Sequence, residues 1–361
     1  MRHSADEIEI APHSAALRVT SLDRHNAAGV ERWDAFVADS PDATFFHRAA
    51  WQQIIEDVFR HPTYFLLADR AGSIEGILPL AHVKTRLFGN ALVSLPFAVY
   101  GGVVAATAEA AAALEAEAQR LAEGLGVDHL ELRNRAARHL DWPGQRELYC
   151  TFRKAIQPDI EANMLAIPRK QRAMVRKGLQ RGLTSVTDDS CDRFFALYAD
   201  NVHRHGTPAL PKQYFEALRR AFGSDCEILT VVTPERAPVS SVLTFYHRDE
   251  VLPYYAGDDV AARDLAANDF KYWELMRRAC ERGCRGFDYG RSKRDTGPFA
   301  FKKNWGFEPE PLHYEYRLYR GDSIPQNNPT NPKYRAFIAL WRRLPLAVAN
   351  RLGPHIVRGL G

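Results

Sequence analysis

The chain has 361 residues, 46% hydrophobic and 25% charged, with a formal net charge of +4. That is the make-up of a folded globular chain long enough for two ordinary domains, and the mild charge argues against a bulk nucleic-acid binder while leaving room for local basic patches. Five scattered cysteines form no C-x-x-C pair, so they read as reduced, buried thiols rather than as disulfides or metal ligands.

Met1–His13 is acidic and polar and lacks the apolar core of a signal peptide; residues 1–16 are predicted to be a loose leader. Leu17–Leu22 alternates as a first strand. Val30–Asp39 and Arg48–Phe59 have helical spacing, with Trp51, Ile54, Ile55 and Val58 on one face. Tyr64–Ala68, Gly76–Val83 and Ala91–Val99 follow as strands, then a long Ala/Leu/Glu helix from Thr107 to about Gly124, then strands Val127–Arg133 and Glu147–Ile156. Leu87–Ala108 carries no charged side chain, but its Gly89, Asn90, Pro96, Gly101 and Gly102 suit a buried strand and loop better than a membrane span.

The same order then repeats. Helices are predicted at Asp159–Ala166, Arg169–Arg181, Cys191–Arg204 and Pro211–Phe222. Strands are predicted at Thr184–Thr187, Cys226–Thr233, Val239–His247 and Val251–Tyr255, followed by a helix Ala261–Arg282. A short strand Gly286–Tyr289, a helical turn Phe299–Trp305 and a strand Leu312–Tyr319 complete the repeat. This is an α/β (α+β) chain built on a duplicated unit, with domains expected at 17–165 and 166–321 and a basic, Pro-containing tail at 322–361. No acid follows Asp322, and Pro345 and Pro354 interrupt the tail. Two readings of that tail stand open: a helix docked on the core, or a basic amphipathic element on an anionic membrane face.

Sites are expected where central strands give way to helices, at Tyr100–Thr107 and Tyr255–Asp269. The stretch Arg285–Phe307 delivers Asp288 and Tyr289 from a strand end into a cationic loop with Arg291, Ser292, Lys293, Arg294 and Asp295. Asp288 is a candidate base or amine-orienting group, equally a turn cap or a partner of Arg291. Arg169, Arg172 and Arg176 are candidate phosphate contacts on a helix that carries no acid, or a solvated face. Tyr254 and Tyr255 are candidates to meet an acceptor, or core; Trp51, Tyr100 and Asn268 are weaker candidates. His203 and His205 read as a helix end, and no metal ligand set is expected.

Tyr254-Tyr255-Ala256-Gly257, Asn268-Asp269, Phe287-Asp288-Tyr289-Gly290 and Phe301-Lys302-x-x-Trp305-Gly306 resemble, in order and spacing, the Fem-type peptidyltransferases. Over nearly the whole chain, Phe46-His47-Arg48, Leu95-Pro96-Phe97, Tyr100-Gly101-Gly102, Pro168-Arg169-Lys170-Gln171-Arg172 and Gly353-Pro354-His355 are similar to FemAB-related proteins of exosortase/PEP-CTERM and exopolysaccharide systems. The resemblance implies tandem GNAT-like domains, each a mostly antiparallel mixed sheet flanked by helices. It implies transfer of an aminoacyl or acyl group to an amine or hydroxyl of a cell-envelope or exopolysaccharide-linked substrate. No permanent cofactor is implied; acyl-CoA or aminoacyl-tRNA serves as co-substrate, and the partner is an anionic precursor. Lys302 matches the lysine of the Fem Phe-Lys motif, which faces substrate phosphates. The expected setting is cytoplasmic, with the tail placed to touch the inner membrane face. Two departures stand out. Arg263–Asn268, at the place of the GNAT phosphate loop, has no glycine, and Phe97–Gly102 replaces the Arg-Gly-Pro stretch of the muropeptide enzymes. They support the alternative of a non-catalytic tandem domain that binds an export-system component. An RNA-binding reading led by Arg169–Arg181 is weakened by the modest net charge.

Overall fold

The stretch after Gly126 shows why this chain builds sheets with two different faces. Leu130 and Leu132 alternate with His129, Glu131 and Arg133, so a strand here must send its leucines one way and its charges the other. A computed structural model describes residues 15–85, 88–145, 148–324 and 332–359. Of the predicted leader 1–16 only residues 15–16, and of the Asn327–Pro332 connector only Pro332, lie within them.

The first sheet contains β1 (Arg18–Ser21), β2 (Thr63–Arg70), β3 (Ser73–Thr85), β4 (Gly89–Ser94), β5 (Val104–Ala105) and β6 (His129–Asn134). Helix α1 (Ala27–Asp39) and the short α2 (Ala50–Ile54) lie between β1 and β2, and α3 (Ala108–Leu125) crosses from β5 to β6. β4 and β6 pair in parallel; the other pairs are antiparallel. Thr107 caps α3 by accepting from the Ala110 amide, and Gly126 ends it in the left-handed conformation. Ala110, Leu114, Ala118 and Ala122 form the helix stripe that covers Leu78, Leu80, Leu92, Leu130 and Leu132.

The second sheet contains β7 (Tyr149–Ala155), β8 (Thr184–Thr187), β9 (Cys226–Val232), β10 (Pro238–His247), β11 (Glu250–Asp258), β12 (Gly286–Asp288), β13 (Ser292–Lys293) and β14 (Pro309–Pro311). Its helices are α4 (Ile160–Ala166), α5 (Arg169–Gln180), α6 (Asp192–Arg204), α7 (Lys212–Phe222), α8 (Ala262–Leu265), α9 (Ala267–Glu281) and α10 (Gly297–Asn304). The predicted helix Ala261–Arg282 is thus broken in two at Ala266, which adopts φ 58°.

The sheets exchange strands across the expected boundary at 165/166. β7 leaves the first half to pair with β12, β13 and β14, whereas β15 (His313–Leu318) returns from the second half to pair with β6. One apolar core also spans both halves: Trp33, Phe45, Phe46, Trp51 and Phe65 pack in it with Phe194, Tyr214, Phe215 and Phe245. Pulling the halves apart would expose this core, and each large side chain in it contributes roughly 1.5–3 kcal/mol.

The tail forms α11 (Pro332–Trp341) and α12 (Leu346–Val357). It is docked: Trp341 is buried, Gly353 lies so close to Ala209 that a Cβ would come within 3.1 Å of its carbonyl, and the Arg358 carbonyl meets His61. Leu340, Val348 and Leu352 stay exposed on these helices. Among the described residues no helix is long and apolar enough to cross a membrane, and the five cysteines are free and buried.

Candidate functional site

A cleft of about 1220 Å³ opens where the shared core ends and the facing sheets part. One wall is the inner face of the first sheet, with Glu131 and Arg133 of β6 and Tyr314 and Tyr316 of β15. The other is the second sheet and its loops, with Tyr254 and Tyr255 of β11, Tyr289, Arg291 and Lys302. Its size exceeds the usual ~300–1,000 Å³ of a small-molecule pocket.

The second sheet is built to open here. β11 pairs with β12 only at Glu250↔Gly286 and Val251↔Phe287. β12 then ends at Asp288, so from Leu252 onward the facing edge of β11 has no strand partner among the described residues. Its backbone N–H and C=O groups must be satisfied by something other than sheet. On the other side, the β10–β11 register slips between Leu243/Tyr255 and Thr244/Pro253, leaving Tyr254 as a bulge. A regular strand points neighbours to opposite faces. The bulge lets Pro253, Tyr254 and Tyr255 all line the cleft. Gly257 then lets α6 approach, since a Cβ there would fall 2.3 Å from the Tyr198 amide nitrogen.

The first sheet is closed at the equivalent place. Leu95–Gly102 folds back after β4, and the Gly101 and Gly102 amides both donate to the Arg133 carbonyl. A Cβ at Gly102 would sit 2.0 Å from Asn134 Oδ1. The two halves are alike in fold and unlike in site: one is splayed, one filled.

Each predicted residue has a definite place. Lys302 lines the cleft but is only 8% exposed, and its ammonium donates to the carbonyls of Tyr289 (2.7 Å), Gly290 (2.9 Å) and Arg291 (3.1 Å). It pins the loop that presents Arg291. Burial pulls its pKa down to about 8, against the pull of the Asp288 carboxylate. Below pH 8 the ammonium is charged in both folded and unfolded chains, and the folded state bears its full desolvation cost. Between pH 8 and about 10.5 the unfolded chain holds the extra proton, so stability rises with pH. The wild type is therefore expected to gain about 1 kcal/mol of urea-unfolding stability relative to Lys302→Met from pH 7 to pH 9. A constant gap would show that the amine titrates as it does in solvent.

Arg291 is exposed within the cleft, its guanidinium 4.7 Å above the Tyr149 ring. Its Nη1 donates weakly to Tyr314 Oη at 3.3 Å, and no described carboxylate pairs with it. It is ready to bind an anion. Tyr254 Oη donates to the Phe97 carbonyl at 2.9 Å, and Tyr255 Oη meets Tyr214 Oη at 3.1 Å, so both rings are fixed in the wall.

The remaining candidates need correction, because none of them lines the cleft. Asp288 does not stand free as a base: it is 2% exposed, and its oxygens accept from Tyr100 Oη (2.9 Å), Thr151 Oγ1 (3.3 Å) and the Gly290 amide (2.7 Å). Tyr100 is the other end of that network and reaches the second half through it rather than the cleft. Trp51 is fully buried in the shared core, its indole donating to the Phe45 carbonyl. Asn268 sits on the first turn of α9, beside Asp269, which accepts from the Trp305 indole, and it is not part of the cleft wall. Arg169, Arg172 and Arg176 lie on α5, outside the cleft, with no ion pair to a described residue; only Arg172 bonds a carbonyl, that of Leu165.

Sequence reasoning missed Arg133, Glu131, Tyr149 and Tyr314. Arg133 pairs with Glu131 at 2.7 Å, donates to the Leu95 and Ala98 carbonyls, and lies 5.5 Å from the Tyr314 ring. The alternation in β6 was visible, but it reads as a solvent face; only the second sheet opposite turns it into a wall. Among the described residues no cluster of His, Cys, Asp and Glu could hold a metal ion.

Residues 169–303 match the family model of an acetyltransferase (GNAT) domain. The splayed strands β11 and β12 lie within that match. The fold is that of tandem GNAT proteins. FemX aligns over 82% of this chain and 96% of its own, with TM-score 0.64 at 16% identity. A tandem GNAT protein from the clavulanic acid biosynthesis pathway aligns over 86% of this chain and all of its own (100%), with TM-score 0.54 at 13% identity. L-PGS from Bacillus licheniformis aligns over 86% and 96%, with TM-score 0.56 at 11% identity. No curated protein matches the sequence.

Proposed function

We propose that the protein is an acyl- or aminoacyltransferase that binds its donor in the splay of the second sheet and its acceptor across the cleft against the first. The observation that carries this is the asymmetry between the halves: β11 has an unpaired edge beside a bulge, while the matching gap in the first sheet is filled by Leu95–Gly102. An extended acyl or aminoacyl group can hydrogen-bond along that edge as a missing strand would. Amides there also face the carbonyl oxygen as it gains charge.

In the reaction the acceptor nitrogen or oxygen attacks the donor carbonyl. A new C–N or C–O bond forms, the bond to the thiol or ribose oxygen breaks, and the acceptor's proton leaves with the departing group or through water. Asp288 is too enclosed to take it. Arg291 binds an anionic part of a substrate, stacked on Tyr149 and supported from below by Lys302. That arrangement supports an anionic envelope or exopolysaccharide-linked acceptor of the kind FemAB-related proteins suggest.

The experiment is a transfer screen with acyl-CoA and with charged tRNA as donors, run on the wild type and on Arg172→Glu/Arg176→Glu. If the donor is aminoacyl-tRNA, α5 is the basic face beside the donor half, and double reversal raises KM roughly tenfold or more, with a flatter salt dependence. If the donor is acyl-CoA, the double variant behaves as the wild type. Absence of transfer from either donor to any amine or hydroxyl acceptor would favour a binding protein instead.

A further inference from the structure

The cleft has two chemically different ends, and this goes beyond the anion contact at Arg291. Arg133, Tyr314 and Arg291 mark one end. Four residues back along β6, or ~13 Å, His129 stands opposite Ala91 of β4, and Ala91 opposite Val83 of β3. Val83, Ala91 and Val93 form an apolar cluster separate from the three larger cores, and all three line the cleft. Phe88 and Val357 of α12 extend the strip. None of these five side chains can donate or accept a hydrogen bond. A sugar or nucleotide lying there would lose its water contacts along them without replacement.

We propose that this end of the cleft holds a hydrocarbon chain, so that the substrate is amphipathic: an anionic group at Arg291 and an alkyl tail along Val83, Phe88, Ala91 and Val93. His129 and Glu131 border the strip on β6, His129 beside Ala91 at its far end and Glu131 beside Val93 nearer Arg133. The chain belongs either to a long-chain acyl donor or to a lipid-anchored acceptor. The proposal rests on the reading of the cleft as the transfer site, but its test is binding alone.

Affinity is measured for ethyl, hexyl and dodecyl phosphate, and separately for acetyl-, octanoyl- and palmitoyl-coenzyme A, all below their micelle concentrations. Each added methylene tightens binding about threefold to fourfold until the strip is filled. Length dependence among the phosphates identifies an acceptor tail; among the thioesters, a donor tail. Ala91→Phe narrows the strip, and dodecyl or palmitoyl compounds then fall back toward their shorter homologues. Phe88→Ser, at a partly exposed position, weakens the longest ligand roughly tenfold without risk to the core. Equal affinity across chain length in both series overturns the proposal, as does length dependence that both variants leave intact. Chain-length dependence without transfer from any donor would sink the transferase reading and leave this one standing.

Discussion

Arg291→Glu is expected to lower kcat/KM by roughly 100-fold or more while leaving unfolding stability within about 1 kcal/mol of the wild type. The two halves of that expectation have different origins. The residue is exposed in the cleft, and its guanidinium rests on the Tyr149 and Tyr314 rings with one long hydrogen bond, to Tyr314 Oη, so little of the fold depends on it. Binding depends on it because, among the cations of the wall, Lys302 is taken up by three carbonyls, Arg133 by Glu131 and two carbonyls, and Lys293 has an interaction of its own. Arg291→Lys keeps the charge but loses the flat stack on Tyr149 and the two-pronged grip on an oxyanion, and recovers part of the loss. The check is steady-state kinetics beside urea unfolding. A Glu variant with wild-type kcat/KM would remove Arg291 from the site.

Asp288→Ala has the opposite signature. It strips the acceptor from Tyr100 Oη, Thr151 Oγ1 and the Gly290 amide, all inside the protein. Tyr100 and Thr151 keep each other at 2.6 Å, so the Gly290 amide and half of the Tyr100 contact are left unmet. The expected loss is roughly 3 kcal/mol of stability. Asp288→Asn retains an oxygen for Gly290 and should keep most of the turnover of the folded enzyme. A general base replaced by Asn would instead lower kcat by roughly 10²–10⁴-fold with the fold intact. Measuring both variants by unfolding and by rate separates a strut from a base.

The elements themselves were largely legible. Thr184–Thr187 is the predicted strand, and β2, β3, β6 and β9–β11 follow their alternation within a few residues. Local signals failed where the tertiary structure intervenes. Ala91–Val99 stops being a strand at Ser94, because the chain must turn there to fill the gap beside β6. The exchange of β7 and β15 between sheets leaves no mark in either strand, since partner choice is not written in a strand's own pattern. The same applies to the site. The motif residues Tyr254, Tyr255 and Lys302 line the cleft, because a bulge and a strand end bring them there. Trp51 and Tyr100 look the same in sequence as cleft aromatics, and only packing shows that one is core and the other a link between halves. In the sequence Asp288 reads equally as a base and as a turn cap; the Gly290 amide makes it the cap, and Tyr100, from the other half, closes its open side.

The most direct test of the donor assignment is amide hydrogen exchange across the full protein, with and without acyl-CoA or aminoacyl-tRNA. The unpaired edge of β11 predicts slowed exchange at Tyr254–Gly257 and in the Tyr289–Lys293 loop on donor binding, with Leu95–Gly102 unchanged. Protection confined to Leu95–Gly102, or transfer activity with no protection along β11, would contradict it.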